Sequence, residues 1–468
     1  MAILVTLIAA VFALAQFSKD RDRGWSALVF LLLALPVEAR IPTPGVLPEL
    51  TVHRLLLAIG LMKSFGDQPD PRLSKAPFAG LWFFISLIQF VSALLSEEIP
   101  ASLKTWLGFA TEQWLFFWML WNAVRTRETL HKVLLGAAAA ITVVGLIALF
   151  ERYGGRNLAA MVVPGMKDNA KTITSTFRHR ILYGYFMAMG IPVMIALIQL
   201  AKTNFGRRLG WLGLCCSGGG SYISISRGPW LGSALGGGYM FLTGGGRTRK
   251  ILVTVGIAAV AFALTRPGVY ETLYRLYTHT KTTDTHKGRS AAYRMELWRV
   301  GWHEITQSPI RFLVGYGGGS LETMDLGDQF EFGGNAANLG YTSWDSELAA
   351  SLVKYGSLGF GGMILLYMLV GFRLLGCWQT TYDDSRILIA AATAVFGIYM
   401  FSLTNVAIFN AQIPFLIWTV VVLGLRTHEF ALVFRPTEDD DDEDYSKPPR
   451  RTDLRDRPPM ARNSSTHR

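Results

Sequence analysis

Arg227 stands in the run Ser226-Arg227-Gly228-Pro229-Trp230-Leu231-Gly232, where small residues flank a guanidinium between two apolar stretches. Arg178 and Arg180 bracket His179 at the mouth of another apolar segment, which begins Ile181-Leu182-Tyr183-Gly184. Guanidinium groups at such a boundary suit a phosphate or pyrophosphate group, which Arg grips through two parallel N–H donors. An isolated charge in hydrocarbon is costly, so Arg227 is a functional candidate, with a snorkelling interfacial arginine as the competing assignment. Asp345, in Tyr341-Thr342-Ser343-Trp344-Asp345-Ser346-Glu347-Leu348, puts a carboxylate at the start of a later apolar segment. There Asp345 or Ser346 could cap a helix by accepting backbone N–H groups, a role compatible with chemistry at the same position.

The elements that must position these residues are membrane helices. The 468-residue chain is 51% hydrophobic, with a mean hydropathy of +0.30, too apolar for a soluble protein with one modest core. Segments of about 17–25 apolar residues match a hydrocarbon layer roughly 30 Å thick, and about 12–13 such segments are present. They lie near 2–17, 25–39, 52–66, 77–96, 107–124, 132–150, 182–201, 209–225, 229–244, 250–265, 347–371, 386–404 and 409–426. Lys/Arg clusters recur after every second segment: Lys19/Arg21/Arg23, Lys63/Arg72/Lys75, Arg125/Arg127/Lys132, Lys202/Arg207/Arg208, Arg247/Arg249/Lys250 and Arg373/Arg386. The positive-inside bias makes those loops and the C-terminus cytoplasmic. No basic residue precedes the first segment, which argues for a helix that starts outside and against a cleaved signal.

The formal charge of +11 is absorbed by these topogenic loops, so no nucleic-acid partner is expected. Cys215, Cys216 and Cys377 have no metal-ligand spacing, and neither zinc nor redox chemistry is supported. From about Arg435 an acidic run, Glu438 to Asp444, is followed by a Pro- and Arg-rich stretch, the pattern of disordered chain.

Two outer loops are long and polar. The first, from about Glu151 to Ile181, carries Arg152, Arg156, Lys167, Lys171, Arg178 and Arg180 against the charge rule. The second spans about 266–346. Within it, Arg289 to His303 reads as an amphipathic helix, with Tyr293/Leu297/Val300 and Trp298/Trp302 as apolar stripes at helical spacing. Such a helix could lie on the membrane as a lid, its Trp298 and Trp302 at the headgroup level. Pro309 ends it, and Gly315-Tyr316-Gly317-Gly318-Gly319-Ser320 lacks the Gly-Lys-Ser/Thr of a phosphate loop, so a flexible turn is expected.

Taken in order, these motifs resemble the O-antigen ligase/polymerase superfamily of bacterial membrane glycosyltransferases. Ser226 to Gly232 is similar to the family's Ser-Arg-Gly-x-Trp-Leu-Gly signature. Arg294 and Trp298 come next in an Arg-x-x-x-Trp arrangement, then Pro309, the Gly-Tyr-Gly-Gly turn, a polar pair before Leu348, and Lys354-Tyr355-Gly356-Ser357-Leu358-Gly359. Ser175-Thr176-Phe177-Arg178 is similar to the family's Gly-Thr-Phe segment, and the clear resemblance covers roughly residues 205–375.

The resemblance implies an all-α polytopic bundle of the GT-C type, divided as an N-terminal bundle (1–204), a ligase/polymerase core (205–426) with outer loop 266–346, and a disordered cytoplasmic tail (427–468). It implies a glycan donor carried on polyprenyl diphosphate, and an acceptor that is a lipid A core or a second lipid-linked glycan. The reaction would use no metal or cofactor and face the periplasm from the bacterial inner membrane. By motif match Arg227 and Arg294 are the anion binders, with Arg178 and Arg180 beside them. Ligases usually show His-Asn where this chain has Asp345-Ser346. Asp345 can still serve as the catalytic base, and the departure tilts the reading toward polymerase. The rivals are a transporter or flippase for lipid-linked glycans and a structural membrane component. Midplane stretches almost free of charge, and the lack of an evident internal repeat, count against transport.

Overall fold

Thr residues ahead of apolar runs set three of the helix starts. Thr51, Thr126 and Thr203 accept from the backbone N–H of Arg54, Thr129 and Gly206 at 3.2, 3.0 and 3.1 Å, the satisfaction that an otherwise unpaired first turn requires. The computed structural model describes residues 2–41, 50–65, 73–163, 166, 173–265, 274, 286–322, 324, 344, 346–406 and 412–433. Asp345, Lys167, Lys171, the greater part of 323–345 and the tail from 434 lie outside the described residues.

In chain order the helices are α1 (Ala2–Lys19), α2 (Arg21–Ala34), α3 (Val52–Ser64), α4 (Ala79–Leu94), α5 (Ile99–Phe109), α6 (Phe116–Ala123), α7 (Arg127–Gly154), α8 (Leu158–Val162) and α9 (Arg180–Leu200). They continue with α10 (Asn204–Ile223), α11 (Arg227–Thr243), α12 (Gly246–Thr265), α13 (His286–Thr306), α14 (Pro309–Val314), α15 (Glu347–Thr380), α16 (Arg386–Leu403) and α17 (Ile413–Val433). A π-helical turn, Ala110–Leu115, joins α5 to α6. The β structure among the described residues is a two-residue antiparallel pairing of Arg40–Ile41 with Leu50–Thr51.

This is an all-α polytopic membrane bundle. Among the described residues, α1, α7, α9, α15, α16 and α17 are each long and apolar enough to cross a membrane. Large apolar side chains face outward on α1 (Leu4, Leu7, Val11) and α15 (Leu365, Met368, Phe372), an exposed belt that only lipid would cover without penalty.

Two ends of the bundle are distinct. At one, basic loops converge: Lys132 Nζ donates to Asp20 Oδ2 at 2.7 Å and pairs with Glu128 at 2.9 Å. There too Arg426, only 2% exposed, donates to Trp121 O at 2.8 Å and pairs with Glu429, while His428 Nδ1 meets Thr381 Oγ1 at 2.8 Å. These polar contacts carry α17 through to Val433. At the other end lie the starts of α9, α11 and α15, where the candidate residues stand.

The glycine turn after α14 corrects one expectation. Gly315 to Gly319 is not a flexible turn but a wedge between α5 and α15. α15 breaks at Gly356 (φ 61°, ψ −169°), which releases the carbonyls of Val353 and Lys354 from the helical ladder. Tyr316 N donates to Val353 O at 3.0 Å, Gly317 N to Lys354 O at 2.9 Å, and Ser92 Oγ to Lys354 O at 2.7 Å. A Cβ on Gly356 would lie 2.6 Å from the Leu313 carbonyl and the Gly315 nitrogen, and its backbone is in a region open essentially to glycine alone. Gly356→Ala is therefore expected to lower stability by about 3 kcal/mol or more, read as a fall in the thermal midpoint of the detergent-purified protein. An unchanged midpoint would show that the break is dispensable.

Candidate functional site

The arginine-bearing loop before α9 is held from below. The buried Glu151 carboxylate, at the end of α7, accepts from Thr174 N (3.2 Å) and Ser175 N (2.7 Å). Asn157 Nδ2 donates to Ser175 O and Thr174 Oγ1, both at 3.0 Å, and Ser175 Oγ donates to Val144 O at 2.7 Å. Gln412 Nε2, just before α17, donates to Thr176 O at 3.2 Å and Leu35 O at 2.9 Å. This network keeps Ser175 at φ 54°, a sparsely populated conformation that needs such support. Just beyond it in the chain stand an exposed Arg178 and a half-buried Arg180. His179 between them caps α9, its Nδ1 accepting from Ile181 N at 3.3 Å.

The turn from α10 to α11 packs against the start of α9. A Cβ on Gly184 would lie 2.6 Å from Ser224 Oγ and 2.7 Å from Pro229 Cγ, so only glycine admits this crossing. In the run Gly218-Gly219-Gly220, Gly220 lies against Tyr183, while Gly218 and Gly219 face open space. Tyr222 stacks on Trp230 at 5.8 Å, and Trp230 Nε1 donates to Ser221 O at 2.9 Å. Ile225 is forced to φ 48°, an outlier for a β-branched residue. Such strain persists where the surroundings over-determine it, commonly at binding sites. Arg227 is the first residue of α11, ahead of the apolar run from Pro229, and Ser226 makes no side-chain cap. The positive end of a helix dipole thus coincides with a guanidinium.

α13 and α15 bring in the second arginine. Tyr293, Leu297 and Val300 form a buried stripe with Ala349, as the helical spacing predicts. A Cβ on Gly301 would lie 3.0 Å from Val353. Leu297 clusters with Ala349 and Gly301 lies against Val353, so α13 runs along the first turns of α15. Arg294 Nη2 donates to Asn405 O at 3.2 Å, at the end of α16. Burial, and then the neighbouring Arg294 cation, hold the Arg227 guanidinium below its usual range. The fold thus makes Arg227 and Arg294, far apart in sequence, charge neighbours. Like charges gathered at an uncapped helix start can hold a dianionic group, whose binding would offset their repulsion.

At the start of α15 the cap is made by Ser346, 1% exposed, which accepts from Ala349 N at 3.4 Å. Glu347 is also 1% exposed; Ser351 Oγ donates to it at 3.3 Å and Lys354 Nζ lies 3.8 Å away. Of the two tryptophans, Trp298 is half-buried and edge-on to Phe360 at 6.0 Å, whereas Trp302 is exposed and meets Phe312 at 6.1 Å. Asn405, Glu151 and Gln412 support the site but carry no sequence signal, because their roles depend on helices that meet only in the folded chain. Among the described residues no group of three or more His, Cys, Asp or Glu is placed to hold a metal ion.

A multi-pass helical bundle with an arginine pair at one end defines the class. Residues 212–364 match the family model for O-Antigen ligase, a stretch that includes Arg227, Arg294 and the break in α15 at Gly356. That match, over about a third of the chain, supports membership of the O-antigen ligase/polymerase family. No curated protein matches the chain. That family suggests a glycosyltransferase-like membrane enzyme and implies lipid-linked glycan substrates.

Proposed function

We propose that this protein transfers a glycan from a polyprenyl-diphosphate-linked donor on the outer face of the bacterial inner membrane, as an O-antigen or exopolysaccharide polymerase in preference to a ligase. The observation that carries the reading is the convergence of Arg227 and Arg294 at the uncapped start of α11, inside the family domain. Their guanidiniums would neutralise the charge that develops on the leaving diphosphate, a role that leaves no need for a metal. Arg178 and Arg180 would extend the cationic rim, and Trp302 with Trp298 would cover the site. Asp345 would take the proton of the acceptor hydroxyl. Glu347 supports this choice by its burial against Lys354 and Ser351, and Ser346 by taking over the cap.

Sidedness rests on the basic loops, whose convergence at the opposite end fits a cytoplasmic face. The test is transfer by purified protein in liposomes loaded with polyprenyl-diphosphate-linked repeat units, in the presence of chelator. A ladder of lengthened glycans is the expected product. Transfer to lipid A core alone would make the protein a ligase, and movement of donor across the bilayer without any new linkage would make it a transporter. Reporter fusions at Thr380 and Asp325 check the sidedness: the first should report cytoplasm and the second the outside, and a reversal would overturn the orientation.

A further inference from the structure

Tyr185 lies in the first turns of α9 and is fully buried, yet its hydroxyl has no hydrogen-bond partner among the described residues. Asn405 is the polar side chain beside that hydroxyl, and its amide N–H groups go to Phe401 O at 2.9 Å and Thr404 Oγ1 at 2.8 Å. Buried polar groups in proteins are nearly always paired, and one that is not opposes folding. Phenylalanine would fill the same space without that cost. The ring is fixed, edge-on to Phe401 at 6.4 Å and within reach of Gly232.

The hydroxyl's surroundings indicate what it awaits. A Cβ on Gly228 would lie 2.3 Å from it, so the residue after Arg227 must lack a side chain for the α11 start to rest on this oxygen. Arg294 is within electrostatic reach of the same hydroxyl. Tyr183 also carries a buried hydroxyl with no hydrogen-bond partner among the described residues, but it faces Gly220 on α10.

Resting on the proposed diphosphate site, we infer that the Tyr185 hydroxyl is a third donor in the pocket, hydrogen-bonding a diphosphate oxygen of the bound donor lipid. The acceptor that the hydroxyl lacks among the described residues would come with the donor lipid. A neutral donor beneath two cations adds direction where the cations add charge, and a bond to a charged acceptor is stronger than one between neutral groups.

The experiment is binding of polyprenyl diphosphate by the full-length protein in nanodiscs, with thermal midpoints measured alongside. Tyr185→Phe should weaken binding by about tenfold to a hundredfold, the range for a hydrogen bond to a charged group, with a midpoint no lower than wild type. Tyr183→Phe, the same chemical change one helical face away, should bind normally. Wild-type affinity in Tyr185→Phe would overturn the inference. So would a loss of binding accompanied by a lowered midpoint, since that marks a structural hydroxyl. Arg227→Ala run in parallel separates the two levels. If it binds normally the diphosphate reading of the site falls, whereas if it alone loses binding only the role of Tyr185 falls.

Discussion

Arg227→Ala is expected to abolish glycan transfer while leaving the protein folded and in the membrane. The side chain is half-buried at the first position of α11 and fills no core cavity, so its removal costs little packing. It also relieves the repulsion with Arg294, and the thermal midpoint should not fall. The transition state loses a preorganised cation aimed at the leaving diphosphate, a change worth about 10²–10³ in rate. Arg227→Lys keeps the charge but not the planar fork and should remain at least about tenfold impaired. Initial rates on a lipid-linked donor, with membrane abundance measured by immunoblot, decide the matter. Near-normal transfer by the lysine variant would rule out bidentate recognition by this residue.

The second large effect is expected at Asp345. Asparagine keeps the shape and removes the basicity, so Asp345→Asn should express normally, bind donor, and transfer about 10²–10⁴ times more slowly. Helix capping cannot confound this result, because Ser346 already accepts from Ala349 N. Ser346→Ala is the converse test: it should cost about 0.5–2 kcal/mol of stability and spare much of the rate. Were the asparagine variant to transfer at nearly the wild-type rate, the base would have to be sought elsewhere. The alternatives are each compromised as they stand. His179 is occupied as the α9 cap, Glu347 is sealed against Lys354 and Ser351, and His303 is exposed on α13.

The amino-acid sequence by itself determined the helical class, the apolar segments, the grouping of basic loops at one end, and the amphipathic stripe of α13. These are one-dimensional properties: hydropathy over a membrane's thickness and spacing within a helix are set by near neighbours, and burial of Tyr293, Leu297 and Val300 reflects their period. It also singled out Arg227 and Arg294 as candidate anion binders, by resemblance to the family's motifs, without placing them together. Tertiary structure alone decided that they are neighbours, since this requires α11, α13 and the end of α16 at Asn405 to meet. The glycine turn was misread as flexible for the same reason. Its order comes from carbonyls freed at Gly356, beyond the turn in sequence, and no local pattern records an acceptor supplied by another helix. Tyr185 shows the limit most sharply: in sequence it is one more aromatic on an apolar helix, and only the folded chain packs Gly228, the residue after Arg227, over its hydroxyl.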